Sequence, residues 1–240
     1  MKTFLILLLT LMINLITISE GFAKTSLTKY QSQPSLKGYL CKPDGKGPFP
    51  AVIYNHGGMG KAIGGDPKGM CEALVRKGFV GFSPLRRQTI PLKGHPQDVM
   101  AALEFIKNKD FVDTNNIGMM GFSRGALLTY MVSTRISDIQ AAVIMAPAPA
   151  KNTLNRFLSK ASQVSNSTLI LVSENDTAEF SQEGNDHVRL SNMLYDALKN
   201  EKKDVNLIIY PAFQNNGHEL FYEVRDYFFD VTKFLNKKLK

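Results

Sequence analysis

Asn116-Ile117-Gly118-Met119-Met120-Gly121-Phe122-Ser123-Arg124-Gly125 decides how the rest of the chain is read. Ile117 to Met120 is a short apolar run of the kind a buried strand uses, and Ala126 to Ser133 has the composition of a helix. Between them Gly121-Phe122-Ser123-Arg124-Gly125 places a serine at the tip of a sharp strand-to-helix turn. Such a turn holds its central residue in strained backbone geometry. The residues two before and two after must lack bulk so that strand and helix can approach. The helix N-terminus then directs free N–H groups toward whatever Ser123 attacks.

Working outward, apolar runs alternate with amphipathic segments along most of the chain. Leu36 to Lys42 reads as an edge strand, closed by the Gly- and Pro-rich turn 43–50, and a polar, unpatterned leader (24–33) precedes it. Buried strands are expected at Ala51–Tyr54, Phe79–Ser83, Ile117–Met120, Ile139–Met145, Thr168–Ser173 and Val205–Tyr210. Helices are expected at Pro67–Lys77, from His95, at Ala126–Ser133, near Leu154–Ala161, at Leu190–Leu198 and at Tyr222–Leu235, with Asp113 to Asn116 as a turn. Strand–helix alternation of this kind predicts an α/β fold, a doubly wound and mostly parallel sheet in a single domain spanning 24–240.

The first residues stand apart from that domain. Lys2, the apolar run Phe4 to Ile18, and the small residues Gly21 and Ala23 make an export signal over 1–23, with cleavage expected after Ala23. The mature chain is therefore expected to be periplasmic or secreted, with no stable membrane insertion. Two cysteines, Cys41 and Cys71, would meet an oxidising compartment; a disulfide and two separately buried thiols are both compatible with their apolar contexts. Net charge is +8. The lysines are scattered rather than striped among aromatics, so nucleic acid is not an expected partner. Neither His-Glu-x-x-His nor a glycine-rich phosphate loop occurs, so no metal or cofactor is expected. Sequence gives no reading of oligomeric state.

A serine hydroxyl needs a base, and reactive groups in open α/β sheets gather past the carboxyl ends of strands. Of the four histidines, His218 fits best, because it follows the last strand in the loop Gln214-Asn215-Asn216-Gly217-His218-Glu219. His56 lies in the glycine loop Asn55-His56-Gly57-Gly58-Met59-Gly60 and is expected to shape that turn by hydrogen bonding. His95 and His187 read as helix-start residues, with Asp186 as a cap. Asp176, past the strand ending at Ser173, is the expected partner of His218 in preference to Glu174. Asp98 and Asp113 read as cap or turn residues. Backbone N–H groups of Gly58 and Arg124 are the expected oxyanion donors.

With Ser123, Asp176 and His218 in the order nucleophile, acid, histidine, the chain resembles the α/β-hydrolase superfamily from about Leu36 onward. It looks most like the dienelactone-hydrolase-like branch. The residues that carry the resemblance are Gly38-Tyr39-Leu40-Cys41-Lys42-Pro43, Pro50-Ala51-Val52-Ile53-Tyr54-Asn55-His56-Gly57-Gly58, the run 112–125 and Gly217-His218. The resemblance implies an eight-stranded sheet, a nucleophile elbow at Ser123 and a catalytic triad. Dienelactone hydrolases proper use a cysteine nucleophile, so their substrate is not carried over to this serine. Little sequence is available for a cap between Met145 and Thr168, which suits small or short-acyl esters. Cleft walls are expected from loops 61–67, 86–94, 148–155 and 177–184. A peptidase or acyltransferase using the same triad, and a catalytically silent binding protein of this fold, are the competing readings.

Overall fold

The computed structural model describes residues 24–58, 62–181 and 184–240; the segment read as an export signal lies outside them. Its eight strands are β1 (Lys24–Gln31), β2 (Leu36–Lys42), β3 (Phe49–Asn55), β4 (Val80–Pro84), β5 (Val112–Phe122), β6 (Ala141–Met145), β7 (Ser167–Ser173) and β8 (Val205–Tyr210). They form one sheet in the order β1-β2-β4-β3-β5-β6-β7-β8. β1 and β4 each run antiparallel to β2, and every pairing from β4 through to β8 is parallel.

The central strands are buried on both faces, and period-two alternation sends successive side chains to opposite layers. On β5, Ile117 and Met119 enter one apolar layer while Met120 and Phe122 enter the other. The first layer is covered by α2 (His95–Lys107), α3 (Arg124–Ser133) and α5 (His187–Asn200). The second is covered by α1 (Pro67–Arg76) and α6 (Tyr227–Leu239). A short α4 (Thr153–Leu158) follows β6. All ten residues of α3 are buried, so the helix that begins at Ser123 is enclosed on every side. Among the described residues no helix is long and apolar enough to cross a membrane.

Three elements differ from expectation. The stretch read as a polar leader is β1, which makes β1 rather than β2 the sheet edge. Only Tyr30 of that strand is buried; the ladder to β2 holds it, and an edge strand with one covered side carries little apolar signal. β5 starts at Val112, so Asp113 to Asn116 continue the strand instead of turning. Helix α6 begins at Tyr227, and the residues before it include a 3-10 turn, Gly217–Phe221.

Cys41 on β2 and Cys71 on α1 form a disulfide with 5.8 Å between their Cα atoms. It ties the sheet to the helix that follows the glycine loop.

Candidate active site

Ser123 sits between β5 and α3 with φ 52° and ψ −112°, a left-handed conformation that costs a residue with a side chain on the order of 1–3 kcal/mol. The surroundings fix it there. Its N–H donates to the Met145 carbonyl at 2.9 Å, and its own carbonyl accepts from Ala148 and Leu127, each at 3.1 Å. The flanking glycines are required by contact. A Cβ on Gly121 would lie 2.3 Å from the Gly125 carbonyl oxygen, and one on Gly125 would lie 1.9 Å from that of Asn55. This last approach brings the end of β3, and the glycine loop after it, against the start of α3.

His218 is held by the loop after β8. Nδ1 of His218 and Oδ2 of Asp176 are 2.8 Å apart. A carboxylate can only accept, so Nδ1 carries the hydrogen and the other ring nitrogen is left to act as a base. Asp176 is fully buried; its carbonyl accepts the N–H groups of His187 and Val188 at the start of α5. That seat fixes the Asp176 main chain at the N-terminal end of the helix. Glu174 points elsewhere, its Oε1 accepting from the Ala212 N–H at 3.0 Å.

A cleft of about 1000 Å³ opens at these strand ends. Ser123, Arg124, Gly58 and His218 all line it, so four of the five expected site residues share one cavity, with Asp176 behind His218. The segments 62–66 and 148–151 form walls as expected. The loop 86–94 lines none of the cleft among the described residues, and 216–223 takes a wall instead. Arg86 turns that loop inward beneath the glycine turn: it is 7% exposed and its Nη1 donates to the His56 carbonyl at 2.7 Å.

His56 behaves as a turn-shaping residue. Its Nδ1 lies 2.6 Å from the Gly57 carbonyl. Burial and the neighbouring Arg86 charge hold its pKa down at about 3, so the ring is neutral at working pH. His95 and Asp186 open helices, the latter accepting from the Arg189 N–H at 2.8 Å.

Four residues beyond the expected set shape this region. Asn175 Oδ1 accepts from the Phe213 N–H at 2.9 Å, and its Nδ2 donates to the Gln214 carbonyl at 3.1 Å, pinning the His218 loop to the Asp176 loop. His187 lies against His218 with ring centroids 4.2 Å apart, and its Nδ1 donates to the Pro147 carbonyl at 3.1 Å. Asp98, read as a cap, is buried within α2 and takes the Arg87 guanidinium, with Nε at 2.8 Å. Arg86 is the fourth. Arg86, Asp98 and His187 are buried and Asn175 is half-buried; each acts through a contact outside its own turn, which no local spacing signals.

Asp176, His187 and His218 bring one ligating atom each to within 4.8 Å of one another. These three could hold a divalent cation. Two of the ring nitrogens already serve hydrogen bonds to Asp176 and Pro147, and a cation on His218 would occupy the ring nitrogen that those bonds leave open to accept a proton.

Residues 85–237 match the family model described as the dienelactone hydrolase family. No curated protein matches the sequence. Among solved structures, the dipeptidyl peptidase 4 of Porphyromonas gingivalis is 20% identical with a TM-score of 0.68, covering 91% of this chain and 36% of that one. The acylaminoacyl peptidase of Pyrococcus horikoshii is 17% identical with a TM-score of 0.70, covering 91% and 42%. This chain thus spans about four tenths of the length of those peptidases. A Pyrobaculum calidifontis esterase is 14% identical with a TM-score of 0.68, covering 91% and 85%. At these identities the likeness is one of fold.

Proposed function

The chain belongs to the dienelactone hydrolase family, and from that premise we propose that it is a serine hydrolase cleaving carboxylic esters of small or short-acyl substrates through an acyl-enzyme on Ser123. The observation that carries the reading is the hydrogen-bonded pair Asp176–His218 at the cleft that also exposes the strained Ser123.

In this mechanism His218 takes the Ser123 proton as the hydroxyl oxygen attacks the ester carbonyl. The N–H groups of Gly58 and Arg124 bind the resulting oxyanion; one such donor is worth on the order of 10²–10³ in rate. His218 then gives the proton to the departing alcohol. Water, deprotonated by the same ring, attacks the acyl-enzyme, and the returning proton regenerates Ser123. Asp176 holds the ring in one tautomer and stabilises the imidazolium.

Export of the mature chain is part of the proposal, supported by the character of 1–23 and by the Cys41–Cys71 disulfide, which suits an oxidising compartment.

The test is a panel of p-nitrophenyl esters of increasing acyl length, run beside matched anilides and thioesters. Turnover of the short esters, abolished in Ser123→Ala, is expected. Preference for the anilides would instead favour a peptidase, and failure across the whole panel would favour a silent binding protein.

A further inference from the structure

Arg86 carries a charge that the mechanism above does not use. It leaves β4 and runs beneath the glycine turn, and among the described residues no carboxylate forms an ion pair with it; Asp98 takes Arg87 instead. Burial lowers its pKa to about 10, which leaves it charged at neutral pH. A guanidinium buried without a counter-ion is costly unless its hydrogens find acceptors. Its acceptors are the backbone of the turn: Nη1 donates to the His56 carbonyl at 2.7 Å, and Nη2 faces the Gly57 carbonyl at 3.4 Å. The His56 ring donates to that same Gly57 carbonyl from Nδ1 at 2.6 Å, since a carbonyl can only accept.

The Gly57 carbonyl and the Gly58 N–H are the two ends of one peptide unit. Donors drawing on the oxygen make the N–H at the far end more positive, and a nearby cation adds to that effect. They also fix the orientation of a peptide that glycines would leave free: Gly58 has φ 79°, and a Cβ there would lie 2.3 Å from the Ala62 carbonyl oxygen. The Gly57 N–H is taken by the Gly64 carbonyl at 2.7 Å, so of the two glycines Gly58 is the one with a donor to offer the cleft.

We propose that Arg86, acting with His56, is a positioning residue of the oxyanion site. It clamps and polarises the Gly57–Gly58 peptide so that the Gly58 N–H meets the negative charge that develops on the substrate oxygen. The proposal rests on the serine-hydrolase reading, and it predicts a defect confined to the transition state.

The experiment compares wild type with Arg86→Met and Arg86→Lys on a short p-nitrophenyl ester, with Ser123→Ala as the control. Affinity for an alkyl boronic acid, which forms a tetrahedral adduct, is measured beside affinity for a non-hydrolysable amide. Arg86→Met is expected to lower kcat by about thirtyfold or more with KM within about twofold. Boronate affinity should fall in parallel while amide affinity holds. Arg86→Lys, which keeps the charge but not the fork, should recover part of the loss. If Arg86→Met fails to fold, Arg86→Lys decides, with a kcat loss of about tenfold expected and an unchanged kcat overturning the proposal. Equal losses of boronate and amide affinity would also overturn it, as would a change in KM alone. Turnover that survives in Ser123→Ala would sink the underlying reading and this proposal with it, a result distinct from a wild type that depends on Ser123 but ignores Arg86.

Discussion

Nδ1 of His218 meets Oδ2 of Asp176 at 2.8 Å although 42 residues separate them. The bond joins the loop after β7 to the loop after β8, and neighbouring parallel strands are what make the encounter possible. Asp176→Asn preserves shape but presents an amide that can donate to Nδ1, which favours the wrong tautomer of the ring. We expect kcat on a short ester to fall by about 10³–10⁴ with KM little changed. Steady-state kinetics on protein shown folded by circular dichroism measures it; a loss under tenfold would remove Asp176 from the proposed triad.

The depressed pKa of His56 makes stability depend on pH. In the unfolded chain the ring protonates near 6.5, whereas in the folded protein it does so at about 3. Between those values the unfolded state binds more protons, so stability is complete above 6.5 and is lost as pH falls toward 3. The contribution is at most about 1.4 kcal/mol per pH unit. Urea unfolding from pH 7 to pH 4 should show this slope, and His56→Gln should flatten it by up to one proton. A variant with the same slope as wild type would mean that other groups set the acid sensitivity.

Contact geometry separates Gly125 at the elbow from Gly184 in a surface loop. A Cβ on Gly125 would lie 1.9 Å from a backbone carbonyl oxygen, so Gly125→Ala must displace α3 from β3. We expect a loss of about 3 kcal/mol or more, or failure to fold. Gly184 has positive φ, and among the described residues nothing lies within 4 Å of its Cβ position, so Gly184→Ala should cost only about 1 kcal/mol. Denaturant midpoints of the two variants test the contrast; similar values would contradict the close packing at the elbow.

What could be read from sequence follows from where each signal lies. The parallel strands are short continuous apolar runs, so β8 was legible to the residue and β3 and β7 nearly so. Ser123, Asp176 and His218 stand just past strand ends, where an open α/β sheet gathers reactive groups. β1 escaped because an edge strand of Lys and Thr residues buries only Tyr30. The polar start of β5 escaped because Asp113 and the two asparagines after Thr114 look like a turn, whereas pairing to β3 begins with Phe49 opposite Val112. Arg86 and Asn175 were invisible as determinants, since each acts by binding the backbone of a segment distant in sequence. His187 was legible as a helix start, but its packing against His218 depends on how α5 is set beside β8.

The most direct test of the central claim is active-site labelling of the folded protein with a fluorophosphonate, read by intact mass and peptide mapping. One adduct per chain is expected, on Ser123, absent from Ser123→Ala and from urea-unfolded protein. An unlabelled folded chain, or an adduct on a different residue, would contradict it.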